Sequence, residues 1–203
     1  MEKEKEKLRA AFIAQRDALA ADDIRNMSME IERRFFELDE YKSSKTIMFY
    51  VSKGSEVFTH SIIKNALKRG KSCSVPYCGP EGDMLVPAKI KDFGDLVRGR
   101  YGVLQPSDEA VSEIEPRLID MFIVPGVVFD RSGLRIGWGK GYYDRFLGLN
   151  APDKPKVGLA YDLQVINNIK NEEAHDVSVD IIITQKEEIR SKDQRPKTED
   201  CRP

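Results

Sequence analysis

Scarcity does much of the early sorting. The 203-residue sequence holds three cysteines, two histidines and one tryptophan. Cys73, Cys78 and Cys201 cannot all pair, no CxxC is present, and no Cys/His spacing suits a zinc site. Reduced, structural thiols are expected, and with them a cytoplasmic setting. Long apolar runs are missing too. The longest uncharged one, Met121 to Phe129, has nine residues and contains Pro125 and Gly126, too short and too broken to span a bilayer. The charged N-terminus has no apolar core of a secretory signal, so none is expected there. Nor is there an excess of charge of one sign. With 33 Lys+Arg against 34 Asp+Glu the net charge is -1, which argues against a nucleic-acid binder.

What is present suits one self-sufficient domain. Hydrophobic residues make up 40% of the chain, enough to build a core, and the length fits a single domain with small appendages. Leu8, Ala11, Phe12, Gln15 and Leu19 predict a helix over residues 3–20. Ile24, Met27, Ile31, Phe35 and Leu38 predict a second, with Asp22 or Asp23 as its cap. Residues 46–51 and 120–124 read as strands buried on both faces, as in a parallel sheet. Further strands are expected at 72–77, near 84–90, at 157–161 and at 180–184, and helices at 59–69 and 142–149. This alternation predicts an α/β fold: a three-layer α/β/α arrangement with a mostly parallel central sheet. From Lys186 onward 11 of 18 residues are charged. We therefore expect a catalytic domain over residues 1–186 and a solvated, flexible tail over 187–203.

The chemistry concentrates in Val124–Phe146, VPGVVFDRSGLRIGWGKGYYDRF. It follows a buried strand and runs into a helix, where open α/β folds place their ligand sites. Walker A fails here: Lys140 follows Gly139, but position 134 is Leu and position 141 is Gly. The Rossmann fingerprint fails because position 142 is Tyr. The physical ingredients of an anion site remain. Gly137, Gly139 and Gly141 let backbone N–H groups approach a ligand. Arg135 and Lys140 bring positive charge, and a helix starting near Tyr142 directs its N-terminus at the same point. Asp144 is a candidate magnesium ligand, and Trp138, Tyr142 and Tyr143 offer flat faces for a heterocycle. On physics alone two readings stand, a phosphate-binding loop and a glycine-rich turn whose aromatic residues belong to the core.

The pattern Pro125, Gly126, Phe129, Asp130, Gly133, Arg135, Gly137, Gly139, Gly141, Tyr142, Tyr143 and Asp144 resembles the signature of the 5-formyltetrahydrofolate cyclo-ligase family. Other pieces similar to that family follow in order. They are Lys5 with Arg9, Tyr50-Val51-Ser52 followed by Glu56 and Thr59, Gln105-Pro106, and His175, Asp176, Val177 and Asp180. The resemblance covers residues 3–186. It implies the NagB/RpiA/CoA-transferase-like fold and an ATP- and Mg2+-dependent ring closure acting on a reduced folate in a monomer, with no nucleic acid and no membrane. Lys5 and Arg9 would contact ATP, with Lys3 and Lys7 as competing registers. Arg135, Gly137, Trp138, Gly139, Lys140, Gly141 and Tyr143 would form the nucleotide loop. Lys140, Arg135 and Tyr142 would be catalytic, and Asp144 and Asp180 would hold magnesium. Val51, Glu56, Trp138 and Tyr142 would meet the folate. Trp138 departs from the pattern, which carries Arg or Tyr there. Trp stacks but brings no charge, so a different pterin stays open as the substrate. Two further alternatives are another activity on a related α/β fold, such as a phosphosugar isomerase, and a binding homologue without turnover.

Overall fold

The computed structural model describes residues 2–79, 84–99, 102–151, 153–170 and 172–191. Its centre is a seven-stranded sheet. In chain order the strands are β1 (Thr46–Met48), β2 (Ser72–Tyr77), β3 (Val86–Ile90), β6 (Met121–Val124), β9 (Lys156–Leu159), β11 (Ile181–Ile183) and β12 (Glu188–Arg190). Their spatial order is β12-β11-β9-β6-β1-β2-β3. The five inner strands run parallel, and the two edge strands, β3 and β12, run antiparallel to their neighbours. All four residues of β6 and of β9 are buried, and β6 therefore reads as a continuous apolar run with little alternation.

Period-two alternation still sorts the side chains into two cores. Ile47, Cys73, Val75, Met121, Ile123, Val157, Leu159, Ile181 and Ile183 face one side. There they meet Ile31 and Phe35 of helix α2 (Ala21–Glu37) and Ile62, Ile63 and Ala66 of α4 (Thr59–Lys68). Met48, Phe122, Val124 and Ile182 face the other side, against Phe146 and Leu147 of α5 (Tyr142–Asn150). Helices therefore cover both faces, as expected for three layers. Between α2 and β1 lies a short helix, α3 (Asp39–Ser43), which the sequence reading missed. A two-stranded ribbon, β4 (Val97–Arg98) with β5 (Leu104–Gln105), follows β3.

A second, three-stranded sheet was not anticipated. It joins β7 (Val128–Asp130), β8 (Arg135–Ile136) and β10 (Val165–Ile166) in the order β10-β7-β8. Helix α1 (Glu2–Asp17) packs Leu8, Phe12 and Ile13 onto its Val128 and Ile136. Phe129 locks this sheet to the main one, because its ring fills the space where a Cβ on Gly126 or Gly158 would lie 2.4 or 2.5 Å away.

Several boundaries move. Strand β1 stops at Met48, and Tyr50 and Val51 continue as buried connecting chain. Helix α1 ends at Asp17, three residues short of the expected 20. Neither Asp22 nor Asp23 caps α2. Ala20 holds the cap position without a side-chain bond, and the two aspartates sit in the first turn, where they favour the helix dipole. Ordered structure also continues past the expected domain end at 186. Glu188–Arg190 form β12, with Ile189 buried and Arg190 paired to Glu40 at 2.7 Å. Two charged side chains pointing outward around one buried Ile read as a tail in sequence, yet that alternation is an edge strand. Residues 192–203 of the expected tail lie outside the described residues. Among the described residues no helix is long and apolar enough to cross a membrane.

Candidate active site

A cleft of about 580 Å³ opens at the carboxyl ends of β1, β2 and β6. Such ends are where open parallel sheets leave room for a ligand. Every site residue expected from sequence lines it except Asp180. Asp180 lies at the opposite, amino end of β11. Its Oδ2 accepts the Lys156 N–H at 2.8 Å, tying the starts of β9 and β11. Asp180 is thus a strand-end anchor, and the expectation that it shares a magnesium with Asp144 is corrected. Its acidic character and its place before a strand fit either role in sequence, and only the strand direction separates them.

The glycine segment forms one wall. The chain leaves β8 at Ile136, passes through Gly137 to Gly141, and enters α5 with Gly141 as N-cap at φ 65°. No side-chain hydrogen bond caps this helix, and a helix N-terminus favours an anion. Gly139, at φ 91°, lets α1 come close, since a Cβ there would lie 3.2–3.4 Å from the Arg9 guanidinium. Arg9 Nε donates to the Gly137 carbonyl at 2.8 Å. The i, i+4 spacing puts Lys5 on the same helix face, and both line the cleft. Lys3 and Lys7 do not.

Charge is carefully paired inside this wall. Arg135, with 2% of its side chain exposed, holds the Asp144 carboxylate at 3.0 Å, and Asp144 also accepts the Val177 N–H at 3.1 Å. Both contacts fall on Oδ1. Arg135 Nε and Nη2 are buried without a hydrogen-bond partner among the described residues, an arrangement that needs an acceptor. Lys5 meets Asp176 at 2.7 Å and Glu173 at 3.7 Å. Burial pulls the Lys5 ammonium down, but the Asp176 bond and charge outweigh it and hold its pKa above the ordinary value. Burial raises the Asp176 carboxyl, and the Lys5 hydrogen bond, the Glu173 N–H and the nearby cations together more than reverse this, leaving it low. Glu173, His175 and Asp176 place acceptor atoms within 4.8 Å of one another, and the Lys5 cation answers that charge. Lys140 is exposed at the cleft wall.

The opposite wall is built on the chain after β1. Glu56 is buried, and its carboxylate accepts the Lys53 N–H at 2.8 Å and the Trp138 indole N–H at 2.9 Å. Burial pushes its pKa up against these two donors and the nearby cations. Tyr161 donates its hydroxyl to the Glu56 carbonyl at 3.2 Å, and Tyr50 to the Val57 carbonyl at 3.2 Å. The loop carrying Glu56 is therefore fixed from below. Trp138, 40% exposed, lies with Lys53 Nζ 4.9 Å and Arg16 Cζ 5.4 Å from its ring centroid. Tyr143 has a buried hydroxyl with no hydrogen-bond partner among the described residues, and burial raises its pKa strongly.

Sequence reasoning missed Arg16, Lys53, Glu173 and the pairing of Lys5 with Asp176. Arg16 was one cation among many on a charged helix. Only the fold buries it, 2% exposed, with its Nε donating to Ser55 Oγ at 2.9 Å. Asp176 stood in the His175–Asp180 motif, but nothing local linked it to Lys5, 171 residues earlier.

Comparison with known proteins gives the family. The model of the 5-formyltetrahydrofolate cyclo-ligase family matches residues 1–185. A probable 5-formyltetrahydrofolate cyclo-ligase of Caenorhabditis elegans is 31% identical, over 84% of this chain and 87% of its own. The mouse 5-formyltetrahydrofolate cyclo-ligase is 30% identical, over 87% and 91%. The solution structure of Aquifex aeolicus 5,10-methenyltetrahydrofolate synthetase superimposes with a TM-score of 0.82 at 31% identity, covering 95% of each chain. The match extends from α1, which carries Lys5 and Arg9, through the glycine wall to the end of β11, so it takes in both sides of the cleft. The chain is a ligase and belongs to the 5-formyltetrahydrofolate cyclo-ligase family.

Proposed function

We propose that this enzyme converts 5-formyltetrahydrofolate to 5,10-methenyltetrahydrofolate, with ATP as phosphoryl donor and magnesium as counter-ion, releasing ADP and phosphate. One observation carries the reading: a single cleft joins a cationic glycine wall, with unfilled buried donors on Arg135, to a buried carboxylate beside an aromatic ring. The first suits a polyphosphate and the second a flat heterocycle with N–H donors. An amide carbonyl is a poor electrophile with a poor leaving group. ATP supplies the phosphoryl group that turns the formyl oxygen into a leaving group, so that N10 closes the ring and phosphate departs.

The protein's part is positioning and charge stabilisation. Lys5, Arg9 and the backbone N–H groups from Gly137 to Gly141 grip the phosphate chain. Trp138 and Tyr143 also lie along that chain. Lys140 and Arg135 meet the negative charge that grows on the transferred phosphoryl group. Asp144 fits a magnesium ion, because both of its described contacts fall on Oδ1 and leave Oδ2 as an anionic oxygen donor. Glu56 receives the N–H edge of the pterin, Val51 lines its pocket and Tyr142 packs on it. The enzyme works as a cytoplasmic monomer on small molecules, without nucleic acid or membrane.

The test is turnover. Purified protein, 5-formyltetrahydrofolate, ATP and magnesium should give the methenyl absorbance with one ADP per product, and nothing without nucleotide. ATP binding without product at high enzyme concentration refutes the reading and leaves a binding homologue.

A further inference from the structure

The one tryptophan of the chain occupies an odd position. Its indole N–H spends itself on Glu56, the buried carboxylate that the proposed function reserves for the substrate. Its ring fills the space next to Lys53 and Arg16, two cations suited to stack on any flat π system. The side chain is 40% exposed, so the ring has open space beside it. A Cβ on Gly137 would meet nothing within 4 Å, and Gly139 adopts φ 91°, a region other residues rarely enter. By contrast Glu56 is pinned through its backbone by Tyr161 and through its side chain by the Lys53 N–H. An exposed side chain therefore donates to a fixed acceptor.

We propose that Trp138 is a specificity-determining gate that stands in for the substrate. In the free enzyme its N–H and ring occupy the Glu56 acceptor and the Lys53–Arg16 stacking place, and a bound pterin displaces them. A 2-amino-4-oxopteridine carries adjacent N–H donors on one edge and a flat ring behind them, so it replaces both contacts at once. A heterocycle lacking that donor edge has nothing to offer Glu56 and leaves the gate shut. Discrimination then comes from exchange of one hydrogen bond for another, in a site where an unmatched buried carboxylate is costly. This inference rests on the proposed function.

The test uses the full chain and the free substrate. Trp138→Phe keeps a smaller aromatic ring and removes the competing N–H. Measured by calorimetry without nucleotide, 5-formyltetrahydrofolate should bind this variant about three- to tenfold more tightly than wild type, the size of one exchanged hydrogen bond to a charged group. A second readout needs no variant: 5-fluorotryptophan places one fluorine label in the chain, at residue 138. Its resonance should shift when 5-formyltetrahydrofolate is added alone. Equal or weaker folate binding by Trp138→Phe, or a resonance that saturating folate does not move, overturns the gate. Wild type that binds the folate, shows both gate signatures and yet gives no product overturns the proposed function while the gate stands. Wild type that binds no folate overturns both.

Discussion

Replacing Arg135 by Met tests the most heavily built contact in the cleft. Met fills similar volume without charge or donors, so the change isolates the ion pair with Asp144 at 3.0 Å. Breaking a buried pair typically costs about 3–5 kcal/mol, because the remaining charge is left uncompensated. Asp144 has 16% of its side chain exposed and keeps the Val177 N–H, which argues for the lower end, about 3 kcal/mol. In a chain of this size each kcal/mol moves the melting temperature by roughly 2–4 °C, so Tm should fall by about 6–12 °C. Turnover should fall further than stability explains, by about 10²–10³, since the unpartnered Nε and Nη2 are then lost as phosphate donors. The assay pairs a thermal melt with initial rates at a temperature where the variant is folded. Adding Asp144→Asn should restore much of the Tm and none of the rate. A Tm within about 2 °C of wild type, with turnover reduced less than about tenfold, would refute the reasoning.

Lys140→Ala should lower turnover by about 10²–10³ with almost no change in melting, because Lys140 is exposed; a near-normal initial rate contradicts its role. Glu56→Gln tests a raised carboxyl pKa, which burial causes. The folded state holds this proton more tightly than the unfolded chain. Glu56 therefore contributes stability below its ordinary pKa near 4.5, and that contribution is lost as pH rises through the raised folded value. Denaturant melts of wild type should show this loss and those of Glu56→Gln should lack it, while the KM for the folate rises about tenfold or more. Gly133→Ala should destabilise strongly in a thermal melt, because the residue sits at φ 94° and a Cβ would lie 2.1 Å from the Val179 carbonyl oxygen. A chain ending after Ser191 should keep its Tm and rate, whereas one ending after Lys186 loses β12 and the Arg190–Glu40 pair and should melt several degrees lower.

Local signals reached some parts of this molecule and not others. β6 and the glycine wall were legible because their information is contiguous: four buried apolar residues in one case, regularly spaced glycines leading into a helix in the other. Lys5 and Arg9 stood out through the family resemblance, and their i, i+4 spacing alone would have left them among many helix charges. Asp180 was misplaced because its meaning depends on which end of the sheet it occupies, and that follows from the parallel pairing of β11 with β9. β7 and β8 escaped because two- and three-residue strands carry too little pattern to separate from loop. β12 escaped because an edge strand buries only Ile189. Arg16 shows the limit most plainly. Its place beneath Trp138 is a product of three segments meeting, α1, the Glu56 loop and the glycine wall, and no window of sequence contains them together.

The central claim is that this cleft phosphorylates the formyl oxygen before the ring closes. Carrying 18O in the formyl group of 5-formyltetrahydrofolate tests it directly, by mass analysis of the inorganic phosphate released. One labelled oxygen should appear in each phosphate, since the carbon–oxygen bond breaks as N10 attacks. Methenyl product formed at full rate with unlabelled phosphate would contradict the account.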